Sequence, residues 1–222
     1  MKISVIRTIL ISMTAIVLMV SSAGTTYANS TEASDQSNFT MDDVEHYFAD
    51  EFSKQEFDGF DLEKTDDGYK FGYEDGNSDM SPAYIEGTTD ENKNLQSLIV
   101  YYWPIDTEDF KSSESLLDAV QDTLNDFGNT PVWTINGVSC FVKMVVFAET
   151  LEERNGNKNG MSDMFSEYAE KFVKEEQTEL YGWKIWNEIE PDEDNNNDRG
   201  SVRLCLQLND AEMPEAPETE HD

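Results

Sequence analysis

Val132-Trp133-Thr134-Ile135-Asn136-Gly137-Val138-Ser139-Cys140-Phe141-Val142-Lys143-Met144-Val145-Val146-Phe147-Ala148 sets what lies at the centre of this chain's fold. Asn-Gly accepts the positive φ angles of a tight hairpin turn, so the two apolar arms that flank it, 132–135 and 138–148, predict a β-hairpin. Apart from Lys143 the second arm is apolar on both faces, which assigns it a central, doubly covered position.

On the N-terminal side of that stretch, Ser112 or Ser113 can cap a helix carrying Leu116, Leu117, Val120, Leu124 and Phe127 on one side, with Gly128 to end it. The run 98–103 reads as a strand with no polar face and stops at Pro104. Residues 74–94, rich in Gly, Asp and Asn, read as a long loop. Before them, 60–63 and 69–73 alternate as a hairpin joined through Asp66-Asp67-Gly68. The domain begins near Phe39, where Thr40 can cap a short helix with Asp43 at its third position and Val44, Tyr47, Phe48 and Phe52 as its apolar stripe. On the C-terminal side, Ser162 opens a helix with Met164, Phe165, Tyr168, Ala169, Phe172 and Val173 in register, and 181–190 with 201–208 form a last hairpin. Three helices interspersed with hairpins predict a single α+β domain over 39–208, with a mostly antiparallel sheet.

The ends carry different signals. Lys2 and Arg7 precede an apolar run, 9–20, too short to span a bilayer, followed by small residues and Thr26-Tyr27-Ala28. That is the pattern of a secretory signal peptide cleaved after Ala28, and it predicts an extracellular protein. Residues 29–38 read as a polar leader and 209–222 as a disordered acidic tail.

Charge removes whole classes of function. Lysine and arginine total 15 against 47 acids, a balance of −32, which falls by two to −34 once Lys2 and Arg7 are removed. Such a polyanion is repelled by phosphate backbones and anionic bilayers, which excludes nucleic acid and polybasic membrane attachment and leaves cationic partners, namely divalent metals, basic proteins and amines; the partner expected of an exported chain is an extracellular protein or glycan. Only two histidines occur, His46 and His221, so a Ser-His-Asp or Cys-His centre would rest on His46 alone. Cys140 and Cys205 are an even pair in an oxidising compartment, predicting one long-range disulfide or two buried thiols. For the disulfide, both sulfurs must project from one face of the sheet.

Two patterns bear on ligands. Asp75, Asn77, Asp79 and Glu86 fall at positions 1, 3, 5 and 12 of a twelve-residue stretch, a spacing that resembles an EF-hand calcium loop. Met80 stands where the turn glycine belongs and Pro82 where an apolar residue belongs, so the resemblance covers the oxygen ligands and not the loop geometry. On the last hairpin, alternation puts Trp186 among Lys184, Glu188 and Glu190, an aromatic among charges that is either covered by another element or free to dock a partner. These features predict a non-catalytic extracellular binding module. The alternative is a carboxylate-dependent hydrolase of glycans or cell-wall material, stabilised by calcium, which requires two inward-facing acids in a concave pocket, one with a raised pKa.

Overall fold

Alternating side chains and a glycine turn make the first hairpin, β1 (Asp61–Thr65) and β2 (Gly68–Tyr73), in the computed structural model, which describes residues 38–40, 43, 61–66, 68–73, 84–157, 161–192 and 199–215. Gly68 is required there: its φ is 142°, and a Cβ would lie 1.8 Å from the Thr89 carbonyl oxygen. Strands β3 (Tyr84–Thr89) and β4 (Leu95–Asp106) complete an antiparallel meander. A single 3-10 turn, Thr107–Phe110, then leads into helices α1 (Ser113–Asn125), α2 (Val132–Arg154) and α3 (Met161–Val173). The chain returns through β5 (Thr178–Leu180), β6 (Trp183–Pro191) and β7 (Arg199–Leu208). All seven strands form one antiparallel sheet in the order β1-β2-β3-β4-β7-β6-β5, so the two meanders meet where β7 pairs with β4. The architecture is α+β in one domain, as the sequence predicts.

Four elements differ from the sequence reading: the strand expected to stop at Pro104 is β4, which starts at Leu95 and continues through Pro104 to Asp106, and β5 has no counterpart in that reading. Residues 84–89, read as loop, are strand β3, whose alternation of Ile85 and Thr89 inward with Tyr84, Glu86 and Thr88 outward is masked by polar composition. The larger correction is the 132–148 hairpin, which is instead the first part of a 23-residue helix, α2. Asn136 and Gly137 do not turn the chain. Asn136 donates from Nδ2 to the Pro104 carbonyl at 3.0 Å, and Gly137 leaves a notch occupied by the Phe110 ring, whose Cζ would lie 2.0 Å from a Cβ. The run is mostly apolar because α2 is covered on three sides: it lies on β4 and β7 and is flanked by α1 and α3, while Ser139, Val142, Lys143 and Val146 stay part-exposed. Twelve of its residues are buried, so a helix long and apolar enough to cross a membrane serves here as the core of the domain.

The start of α1 and the N-terminal entry follow the expected chemistry, whereas α3 begins at Met161, which puts Ser162 within the helix and not at its cap. Ser112 Oγ accepts from the Ser115 amide at 3.1 Å to cap α1. Near the N-terminus, the Thr40 amide donates to Asp43 Oδ2 at 2.7 Å and the Asp43 amide to Thr40 Oγ1 at 3.4 Å, the reciprocal arrangement read from the sequence. Most of the helix expected to follow lies outside the described residues. Arg154, at the end of α2, holds this entry point: it donates to the Asn38 carbonyl and to Asp43 Oδ1 at 2.7 Å while stacking 4.2 Å from the centre of the Phe39 ring.

One face of the sheet meets the helices. Ile85, Leu98, Val100, Tyr102, Val202, Leu204, Leu206, Trp183 and Ile185 all point to that side and are buried with α2. Edge-to-face ring contacts continue the packing, Phe147 to Trp183 at 5.2 Å and Phe141 to Phe172 at 5.4 Å. Asn187 is, with Thr89, a buried polar residue on this face; its Nδ2 donates to the Phe172 carbonyl at the end of α3 at 3.0 Å.

Because Phe110 also packs on Phe172, at 5.7 Å between ring centres, it has no easy direction of retreat from a new methyl group. Gly137→Ala, which in an exposed helix would stabilise by roughly 1 kcal/mol, is therefore expected to destabilise by about 1–3 kcal/mol through overpacking. Urea unfolding of the variant against the parent checks this; a higher midpoint would contradict the notch.

Candidate functional site

Strict alternation directs every second strand residue away from the helices. On that second face, Lys184, Gln207, Ser97, Thr88 and Lys70 form one cross-strand row, followed by a row of Trp186, Cys205, Ile99 and Glu86 and a third of Glu188, Arg203, Tyr101 and Tyr84. Ile99, Tyr101 and Cys205 are buried although no described helix lies on this side.

Residues 209–215 lie here. Asn209 takes a left-handed φ of 53°, which asparagine tolerates better than most residues, and its amide donates to the Gly182 carbonyl at 2.6 Å. That turn lifts the chain out of the sheet and sends it back across the strands. Lys184 on β6 pairs with Asp210 at 2.9 Å, and Gln207 Nε2 on β7 donates to the Ala211 carbonyl at 2.7 Å. Ser97 Oγ on β4 donates to the Glu212 carbonyl at 2.7 Å, and Tyr84 OH on β3 reaches the Glu215 carbonyl at 3.5 Å. Since the one Ser97 proton goes to Glu212, Thr88 Oγ1 is the donor in its 2.7 Å bond to Ser97. Pro214 is buried. The first half of the expected acidic tail is thus a seated strap, because a serine, a glutamine and a tyrosine aligned across strands satisfy its carbonyls; residues 216–222 lie outside the described part. Hydrogen bonds of this kind are worth about 1 kcal/mol each against an ordering cost of about 1–2 kcal/mol per residue, which puts the strap at the low end of local stability.

Trp186 is half-buried beside the strap's path, and its indole N–H donates to Glu188 Oε1 at 3.0 Å. Glu188 is braced by Arg203, which also holds Glu190 at 2.6 Å. At the far end of β4, Trp103 is 43% exposed and alternation puts it on the same side as Tyr101. Arg199 stacks 3.5 Å from the centre of the Trp133 ring nearby. The sequence singled out Trp186 and grouped Lys184, Glu188 and Glu190 with it; it missed Tyr84, Ser97, Gln207 and Trp103. The signal available for the strap was the apolar pair Met213-Pro214 inside an otherwise acidic tail.

The proposed disulfide does not form. Cys140 and Cys205 are both free and buried. Cys140 sits on α2 within the core, whereas Cys205 points to the opposite side of β7, between the outward-facing Arg203 and Gln207, so the sheet separates the sulfurs. Burial raises the Cys140 thiol pKa strongly and pushes the Cys205 thiol up to about 12, the Glu188 charge adding to the latter.

Of the calcium candidates, Asp75, Asn77 and Asp79 lie outside the described residues. Glu86 lies mid-strand, between Gly72 and Ile99, and points to the second face. Its carboxyl is held above the usual range by burial; Lys70 opposes the shift and Glu215 adds to it. Among the described residues no group of three or more His, Cys, Asp or Glu is placed to hold a metal. The carboxyls with raised pKa, Glu86, Asp109 and Glu149, stand on β3, the 3-10 turn and α2. None of them lines the open depression of about 420 Å³ at the root of the strap, whose wall includes Glu179, Tyr181, Lys184 and Asp210. There Lys184 holds the Asp210 carboxyl below its ordinary value.

No protein-family model, curated protein or solved structure matches this chain.

Two measurements follow from these environments. In the native chain both thiols are expected to resist alkylation and to react fully once unfolded, with no change of intact mass on reduction; a mass gain of two hydrogens on reduction would contradict the separation. Burial pushes the Glu149 carboxyl up to about 7 from 4.5, with Glu153 adding to the shift. Its protonation therefore favours the folded chain, a contribution complete below 4.5 and lost as pH rises through 7. Discounted for its half-exposed position, Glu149→Gln is expected to stabilise by roughly 1–2 kcal/mol at pH 8 and by nothing at pH 4. Thermal unfolding at both pH values reads the difference.

Proposed function

We propose that this chain is exported and acts as a non-catalytic extracellular binding module, with the second face of its sheet as the contact surface. The observation that carries the reading is the contrast between the two faces. Three helices bury one, while the described part of the other carries Trp186 and Tyr84 beneath or beside a strap held largely by side chains, and Trp103 at the far end of β4. Trp186 and Tyr84, their polar edges bonded to Glu188 and to the strap, offer aromatic area set among paired charges, which suits a docking surface. The surplus of acid keeps the protein soluble and biases its encounters toward proteins and glycans over nucleic acid.

The test is recovery of a partner. The mature chain, tagged and incubated with the surface fraction and medium of its producer with and without calcium, is expected to retain one stoichiometric partner, and Trp103→Ala with Trp186→Ala to lose it. Release of a glycan fragment in place of a retained partner would favour the hydrolase. Sequencing the secreted form is expected to begin at Asn29.

A further inference from the structure

We propose that the second face is a receptor for an extended acidic peptide bearing a proline, and that 209–215 occupies it as a displaceable resident. The inference rests on the reading of the chain as a binding module and specifies the chemistry of what that module takes.

Three features support it. The contacts come from four adjacent strands in sheet order, Lys184 on β6, Gln207 on β7, Ser97 on β4 and Tyr84 on β3, so the strap crosses the strands as a ligand crosses a groove. Three strand spacings of about 4.8 Å span about 14 Å, and the five residue steps from Asp210 to Glu215 reach about 17 Å when extended, so the segment fits nearly straight. Next, three of the four contacts are donations to main-chain carbonyls, those of Ala211, Glu212 and Glu215, which every peptide possesses. Sequence enters through the carboxylate that Lys184 takes at Asp210 and the buried Pro214 four residues later. Last, the strap adds no strand to the sheet; the main-chain bonds at its root are Asn209 to Gly182 and Ala211 to Leu208, and beyond them the described hold on the face is by side chains. A segment held in this way can be exchanged for another of like chemistry without disturbing the strand ladder. The long-range repulsion between this polyanion and an acidic peptide is screened beyond about 8 Å at physiological salt, where the short contacts decide.

The experiment uses the full mature chain and a fluorescent peptide with the sequence of residues 209–222, read by anisotropy at physiological salt. A loosened chain, Met213→Asp with Pro214→Asp, is expected to bind the peptide saturably and at least tenfold more tightly than the parent, whose own strap competes. Adding Ser97→Ala and Gln207→Ala to the loosened chain is expected to weaken binding at least tenfold while the circular dichroism stays unchanged. A folded loosened chain that fails to bind, or binds equally without Ser97 and Gln207, overturns the proposal. Should the loosened chain not fold, hydrogen exchange on the parent decides. Amides of 210–215 are expected to exchange at least 100-fold faster than those of β4 and β7; equal protection overturns the proposal. If the chain retains a partner from its producer but the loosened form ignores the peptide, the binding module stands and the peptide receptor falls.

Discussion

Helix α2 buries most of its circumference, leaving an open stripe at Ser139, Val142, Lys143, Val146, Glu149 and Glu153, and the need to cover the rest organises the chain. The sheet provides the floor through β4 and β7, while α1 and α3 close the flanks. The two meanders come together at the β4–β7 pair, directly beneath the helix, and the Phe110 ring enters the helix surface at Gly137 from the turn that follows β4. The molecule is built from the centre outward: local hairpins at both sheet edges, and the one long-range pairing where burial is deepest.

Much of this was legible. The hairpins at 61–73 and 183–208 follow from alternation and turn residues, α1 from period and cap, and α3 from period, because each pattern is local and half-solvated, so the polar side prints the period into the sequence. The centre was not legible for the opposite reason. A helix covered on three sides keeps only a thin open stripe, here Ser139 and Lys143 with Val142 and Val146, too apolar to print the period, and Asn136-Gly137 carries the same two letters for a packing notch as for a turn. Length was the discriminating signal: an apolar arm of eleven residues, 138–148, exceeds an ordinary strand and suits a helix. Strand β3 escaped because its outward residues are Tyr, Glu and Thr, which composition alone assigns to a loop. As for the candidate site, alternation found the company of Trp186 but had no means of showing that Ser97 and Gln207 would align with Lys184 across three strands. That alignment exists only once strand order and register are set.

The same register explains why the two cysteines stay apart. Parity decides which side of β7 a residue occupies, and Cys205 has the parity of Arg203 and Gln207, away from the helix that carries Cys140. It also explains how a chain with so few cations uses them. Arg154 fixes the N-terminal entry, Arg203 bridges two glutamates beside Trp186, and Lys184 holds the start of the strap. Each meets an acid that would otherwise sit in a crowded negative field, so the scarce positive charges define local geometry more than they neutralise the whole.

The sheet ends in strands that discourage lengthening. Among the described residues, β5 on one margin has three residues with Glu179 at its middle, and β1 on the other has five with the exposed Glu63 at its middle. A neighbouring copy offering either margin would bring carboxylate against carboxylate over a short ladder, so this seven-stranded sheet resists stacking edge to edge into fibres.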